Sequence, residues 1–137
     1  MTPFSLKIVT PDGMEYEGHA EEVIVRTTTG DLGILAGHVD CVAPLGMGRA
    51  TFLIDGQKRY AACIGGILSL SKGALTLVPT TFEWAEDIDA DRADRAAERA
   101  KAILSGKNVQ SADIAVAEAK LKRALVRKSV ATCKPVQ

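Results

Sequence analysis

From Asp87 onward the chain has no aromatic residue, one glycine (Gly106) and one proline (Pro135). All six aromatics, eleven of the twelve glycines and four of the five prolines come earlier. A segment so poor in turn formers and large side chains excludes further strands and leaves helices. Cysteine is also scarce. Cys41, Cys63 and Cys133 are widely spaced, no Cys-x-x-Cys occurs, and His19 and His38 lie far apart. That pattern argues against a zinc site and for free, buried thiols in a reducing compartment. No apolar run approaches the length of about twenty residues needed to span a bilayer. The first residues, Met1 to Val9, lack the charged leader and apolar core of a signal peptide. No Gly-x-Ser-x-Gly, phosphate loop or metal-ligand cluster is present, which argues against an enzyme. The pairing of His38 with Cys41 is too sparse to build a nucleophile on.

What is present divides in two. Residues 1–86 hold ten acids and six bases, whereas residues 87–137 hold seven acids and eleven bases. The net charge of the whole is zero. In the first part, Phe4, Leu6 and Ile8 alternate with Ser5 and Lys7, and Pro11-Asp12-Gly13 turns the chain. Val23, Val25 and Thr27 share a face. Gly30 to Gly37 reads as a glycine-punctuated loop with an apolar centre. Ala50, Phe52 and Ile54 alternate with Arg49, Thr51 and Leu53 before Asp55-Gly56, a strong hairpin signal. Lys58 to Ile64 pairs back, Gly65-Gly66 breaks the run, and Ile67–Ser71 and Ala74–Val78 form a last hairpin around Lys72-Gly73. Six or so short strands at this spacing predict an all-β sandwich or barrel.

The second part predicts two helices. Asp87 or Asp89 caps the first, with Asp91 in its first turn. Its inner stripe is Ala93, Ala96, Ala97, Ala100, Ile103 and Leu104, and Ser105-Gly106 ends it. Ser111 caps the second, which buries Ile114, Ala117, Leu121, Ala124 and Leu125. The short connection makes an antiparallel hairpin. Alanine buries little area at about 25 cal/mol per Å², so the hairpin should be attached by only a few kcal/mol. Switching elements are drawn from that low-stability end.

Gly30-Asp31-Leu32-Gly33-Ile34-Leu35-Ala36-Gly37-His38 resembles the hallmark segment of the epsilon subunit family of F-type ATP synthases. Phe4 to Pro11, Gly65-Gly66-Ile67, Asp87 to Ala93 and Leu121-Lys122-Arg123-Ala124 resemble other parts of that family in order, so the likeness spans the chain. The sequence departs from the pattern at Ala36, where proline is common, and at Val39-Asp40-Cys41, which is usually more apolar. The resemblance implies a β-sandwich of about ten strands over residues 1–86, followed by a two-helix hairpin over 87–137. It further implies a non-catalytic rotor subunit at the cytoplasmic face of the membrane, joining the gamma subunit to the c-ring without inserting in the bilayer. Its hairpin would reach the catalytic alpha and beta subunits and block ATP hydrolysis. Asp31, Leu32, Ile34, Leu35 and His38 are then the expected partner contacts.

Ile88-Asp89-Ala90-Asp91-Arg92-Ala93 matches the Ile-Asp-x-x-Arg-Ala motif with which some bacterial members of that family bind ATP. Asp89 can accept from an adenine amine, and Ile88 and Ala93 offer apolar surface. Arg92 and Arg99 lie two turns apart on one helix, and Arg123 and Arg127 one turn apart on the other. A folded hairpin would converge them on a triphosphate. Glu83 lies just before the helix. The blander reading is a capped helix start with an i,i+3 Asp–Arg pair worth about 0.2–0.5 kcal/mol. No cofactor is required, and ATP is expected only as a regulatory ligand. Among the other bases, Lys101, Lys107, Lys120 and Lys122 read as a solvated face. Arg123, Arg127 and Lys128 are the expected inhibitory group. A nucleic-acid module is the rival reading, but Asp94, Glu98 and Glu118 interrupt the bases and no aromatic is available for stacking.

Overall fold

A computed structural model describes residues 1–106 and 110–133. Ten strands come first: β1 (Phe4–Thr10), β2 (Gly13–Ala20), β3 (Glu22–Thr27), β4 (Gly30–Leu35), β5 (Cys41–Pro44), β6 (Met47–Ile54), β7 (Gln57–Ile64), β8 (Ile67–Ser71), β9 (Ala74–Val78) and β10 (Thr81–Trp84). They form two five-stranded sheets, ordered β2-β1-β9-β8-β5 and β10-β7-β6-β3-β4. A 3₁₀ turn, Ala85–Asp87, leads to α1 (Ala90–Leu104) and α2 (Ser111–Ala131).

The alternation in the sequence becomes the two faces of each strand. Phe4, Leu6 and Ile8 point inward from β1, as do Val23 and Val25 from β3, Ala50 and Phe52 from β6, and Leu75 and Leu77 from β9. Phe52, Phe82 and Trp84 close one end of the core edge to face, with centroids 5.0 to 6.1 Å apart. The β6–β7 turn places Asp55 at φ 52° and Gly56 at φ 76°, the left-handed pair that a two-residue hairpin requires. Gly66 has φ 99°, and a Cβ there would collide with the carbonyl oxygen of Val78. This explains why the break after β7 needs glycine. Cys63 is buried, and burial pushes its thiol up to about 12. It is therefore an unreactive core side chain.

Four strands lie beyond the six read from the pattern: β2, β4, β5 and β10. β2 is a polar edge strand, β5 has only four residues, and β10 follows the hairpin expected to be last. Short or polar strands pair through backbone and carry little pattern. The glycine-rich segment is not a loop. It is β4, paired residue for residue with β3 from Glu22↔Leu35 to Thr27↔Gly30.

The hairpin follows expectation in outline. Asp94 pairs with Lys128 across the helices, and near the turn Ala102 and Ile103 share a cleft with Asp113 and Val116, so the helices run antiparallel. Ala93, Ala97 and Ala100 face Ala117 and Ala124 from the buried stripe. Three details differ. Gln110, not Ser111, occupies the cap position of α2, and it makes no side-chain cap bond. Ile103 is 44% exposed and Leu125 41% exposed, so neither belongs to the buried stripe. Val130 is buried instead, against Ala62 and Ala85, with Val126, Tyr60 and Ile88 around it. The hairpin therefore lies folded down on the sandwich, with α2 on β6 and β7.

Candidate functional site

β2 and β10 are edge strands of opposite sheets, and the base of the hairpin closes over that end of the sandwich. A cavity of about 400 Å³ lies there. The sandwich contributes Asp12 from the β1–β2 turn together with Thr81, Phe82 and Glu83 from β10. The start of α1 contributes Ile88, Asp89, Arg92, Ala93, Ala96 and Arg99, and α2 contributes Ala124 and Arg127. Small residues on both helices leave the volume open, because each alanine ends at Cβ.

Seven of the eight residues expected at a nucleotide site therefore line one cavity: Glu83, Ile88, Asp89, Arg92, Ala93, Arg99 and Arg127. The eighth, Arg123, lines a second cavity of about 380 Å³ farther up the hairpin. Ala96, Arg99, Ala124 and Arg127 border both cavities, so the two adjoin. Asp12 and Thr81 carry no local signal of membership, since only folding brings the β1–β2 turn to the helices.

Each charged group is held in place. The Asp89 carboxylate caps α1, accepting the Arg92 backbone N–H at 3.0 Å. This is the capped helix start, but no Asp89–Arg92 side-chain ion pair occurs among the described residues. The guanidinium of Arg92 thus remains available. Arg127 Nε lies 3.4 Å from Glu83 Oε1, tying α2 to the sandwich edge. Lys128 Nζ lies 2.7 Å from Asp94 Oδ1 and ties α2 to α1. That hydrogen bond, with the charge of Asp94, raises the lysine above its ordinary value. Two of the three expected inhibitory bases are thus paired with acids while the hairpin is folded down. Lys101 pairs with Glu98 on its own helix, and Lys120 and Lys122 are exposed. Lys107 lies outside the described residues.

Below the cavity, Arg59 fastens the junction between strand and helix. Its guanidinium stacks 3.7 Å from the Trp84 ring centroid and reaches Glu86 at 2.7 Å. Burial alone would raise the Glu86 carboxyl, but the Arg59 bond and charge outweigh it and hold it below its ordinary value.

The expected partner contacts do not form a single surface. Ile34 is fully buried and packs in the core, so it cannot touch a partner. Strand pairing alternates faces, and Ile34 faces in for the same reason that Leu35, 46% exposed, faces out. Leu32 is half-buried against the core. Asp31 is exposed and sits 3.3 Å from Arg26. The imidazole of His38 donates from Nδ1 to the Val39 carbonyl at 2.7 Å. Sequence reading missed an exposed apolar row on the outer face of the other sheet. Pro44 pairs with Ile67, and Ile67 with Val78, with Val42 two residues along the same face. Val42 is 68% exposed. The outward positions of β5, β8 and β9 are the signal that would have shown it.

No helix of the described residues is long and apolar enough to cross a membrane. The beta-sandwich domain of the ATP synthase delta/epsilon chain matches residues 3–85, and the long alpha-helix domain of the same chain matches residues 86–132. The chain is 43% identical to the ATP synthase epsilon chain of Bacillus velezensis over 96% of its own length and 98% of that protein. It is 41% identical to the epsilon chain of Caldanaerobacter subterraneus over 94% of each chain. Its fold is similar to a chain of the Euglena gracilis mitochondrial ATP synthase, in a structure of OSCP, F1 and c-ring. The TM-score there is 0.82 at 21% identity, covering 94% of this chain and 81% of that one. With both of its parts matched in order, the chain belongs to the ATP synthase delta/epsilon chain family.

Proposed function

We propose that this protein is the non-catalytic rotor subunit that couples the central shaft of an F-type ATP synthase to its c-ring, and that its hairpin is a movable inhibitor of ATP hydrolysis controlled by ATP. In this reading residues 1–86 dock the gamma subunit and the ring, and residues 87–137 regulate. The protein is peripheral, on the cytoplasmic face of the membrane. The observation that carries the reading is the cavity at the hairpin base. It exists only while both helices lie against the sandwich edge, and it gathers Asp89, Arg92, Arg99 and Arg127 from two helices.

A ligand that needs that assembly stabilises the folded-down state by RT ln(1 + [L]/Kd), about 2.7 kcal/mol at a hundredfold excess over Kd. This is comparable with the few kcal/mol expected of a hairpin that meets the sandwich through little more than Val130, Val126 and Ile88, so ATP can decide whether the hairpin stays down. The base would sit by Ile88, Asp89 and Ala93, and the phosphates by the arginines, without turnover. When the hairpin leaves, Arg127 loses Glu83 and becomes free for acidic surfaces of the catalytic alpha and beta subunits, and Lys128 joins it once the two helices also part from each other. Docking of the shaft and ring falls to the sandwich, where Leu35 and the row through Pro44, Ile67 and Val78 expose apolar surface.

Two measurements test the proposal. ATP at millimolar concentration should raise the melting temperature of the full chain and protect the hairpin from protease. Removal of residues 87–137 should raise ATP hydrolysis by the reconstituted enzyme while leaving gamma binding intact. No protection by ATP refutes the sensing role, and unchanged hydrolysis refutes the inhibitory one.

A further inference from the structure

The geometry points to Asp12 as the group that reads the sugar of a ribonucleotide bound at the hairpin base. The inference rests on the nucleotide reading above and adds a residue from outside the helical motif. The two adjoining cavities differ in charge. The upper one is bordered by Arg99, Lys120, Arg123 and Arg127 and by no acid. The lower one holds all three carboxylates: Asp12, Glu83 and Asp89. A polyphosphate is therefore drawn upward, and the nucleoside is left in the lower part.

Two of those carboxylates are already engaged. Asp89 caps α1 through Oδ1, and Glu83 faces Arg127. The carboxylate of Asp12 meets no ion pair or hydrogen bond among the described residues. Its backbone is nevertheless fixed. The Asp12 N–H donates to Thr10 Oγ1 at 3.2 Å, and Thr10 Oγ1–H donates to the Gly13 carbonyl. Gly13 at φ 126° completes the turn. A carboxylate carried on a fixed turn with both oxygens free suits a vicinal diol, which offers two O–H donors. Asp12 thus accepts from the ribose hydroxyls and Asp89 keeps the base. Such a site should favour the ribonucleotide over an analogue lacking a hydroxyl, because the exposed Asp12 carboxylate then loses one of its two O–H donors.

Calorimetric titration of the full chain with ATP and with 2′-deoxy-ATP tests this, for the natural sequence and for Asp12→Asn. The natural protein should prefer ATP by about tenfold or more, the effect expected for a hydrogen bond to a charged group. Asp12→Asn should weaken ATP by a similar factor, leave 2′-deoxy-ATP nearly unchanged and bring the ratio toward one. Asp12→Ser, also compatible with the turn, gives the same readout if the asparagine variant does not fold. Equal binding of the two nucleotides by the natural protein overturns the role of Asp12 while leaving the nucleotide site standing. So does a ribose preference that survives the substitution. Absence of any ATP binding by the natural protein overturns the site and the inference together.

Discussion

The sandwich and the hairpin bury their contacts with different side chains. The sandwich core is leucine, isoleucine, valine and phenylalanine, and Leu6, Ile8, Val23, Ile34, Phe52 and Leu77 are fully buried. The hairpin buries five alanines and one valine. Each large core side chain contributes about 1.5–3 kcal/mol on burial, whereas an alanine methyl contributes less than 1 kcal/mol. The proposed function therefore needs one part that opens only with global unfolding and another that detaches at modest cost, which this contrast supports. The ion pairs Arg127–Glu83, between hairpin and sandwich, and Lys128–Asp94, between the two helices, are solvent-reached and add little strength. They set register and orientation more than affinity.

The sharpest way to break this contrast is to attack the strong side. Phe52→Ala should cost about 3–5 kcal/mol and lower the melting temperature of the whole chain. Deletion of residues 87–137 should leave the sandwich folded, as read by its far-ultraviolet dichroism and a cooperative melt. Loss of cooperative folding on truncation would show that the hairpin supports the sandwich core.

A smaller effect is expected at the ligand. Arg92→Ala, which leaves the Asp89 cap bond in place because that bond uses the backbone N–H, should weaken ATP by about 1.5–3 kcal/mol in calorimetry. Arg123→Ala should do the same if the phosphates reach the upper cavity. Between the two helices, Ala97→Leu places a bulky side chain where Ala97 is fully buried. It should cost about 1–3 kcal/mol and be relieved when the two helices part. The expected result is faster proteolysis of the hairpin with an unchanged melt of the sandwich.

The smallest effect concerns the Arg59 clamp. The folded-state carboxyl of Glu86 lies below its ordinary 4.5, so its contribution is fully present above that value. It is lost as pH falls through the lower, folded-state value. Solvent reaches the pair, so the contribution is about 0.5 kcal/mol. Fluorescence of Trp84, the only tryptophan, should report loosening of the junction in acid. Glu86→Gln should remove that pH response.

Much of this was legible along the chain. Hairpins at Asp55-Gly56 and Lys72-Gly73 follow from residues that tolerate positive φ, and the Asp89 cap follows from a local hydrogen bond. Period-two and period-3.6 patterns sort strands from helices because each side chain's face depends only on its neighbours along the backbone. β2 and β5 were hidden because their pairing runs through backbone groups that every residue carries. The face of Ile34 was hidden because the glycines around it suggested a turn.

The nucleotide-site candidates divide along the same line. Local chemistry marked Ile88 to Ala93 and the arginines. Nothing local shows that Arg127 meets Glu83, or that the Asp12 turn lies beneath them, because those distances are set by how the sheets close and where α2 lands. By itself the sequence determined the order of the elements, the split between a strong and a weak core, and the charge of the helices. These are sums of local choices. Tertiary structure decided which charges pair, which apolar residues of β4 face outward, and that two sheet edges and two helices enclose one cavity. Those depend on long-range packing, in which residues far apart in the chain share one place.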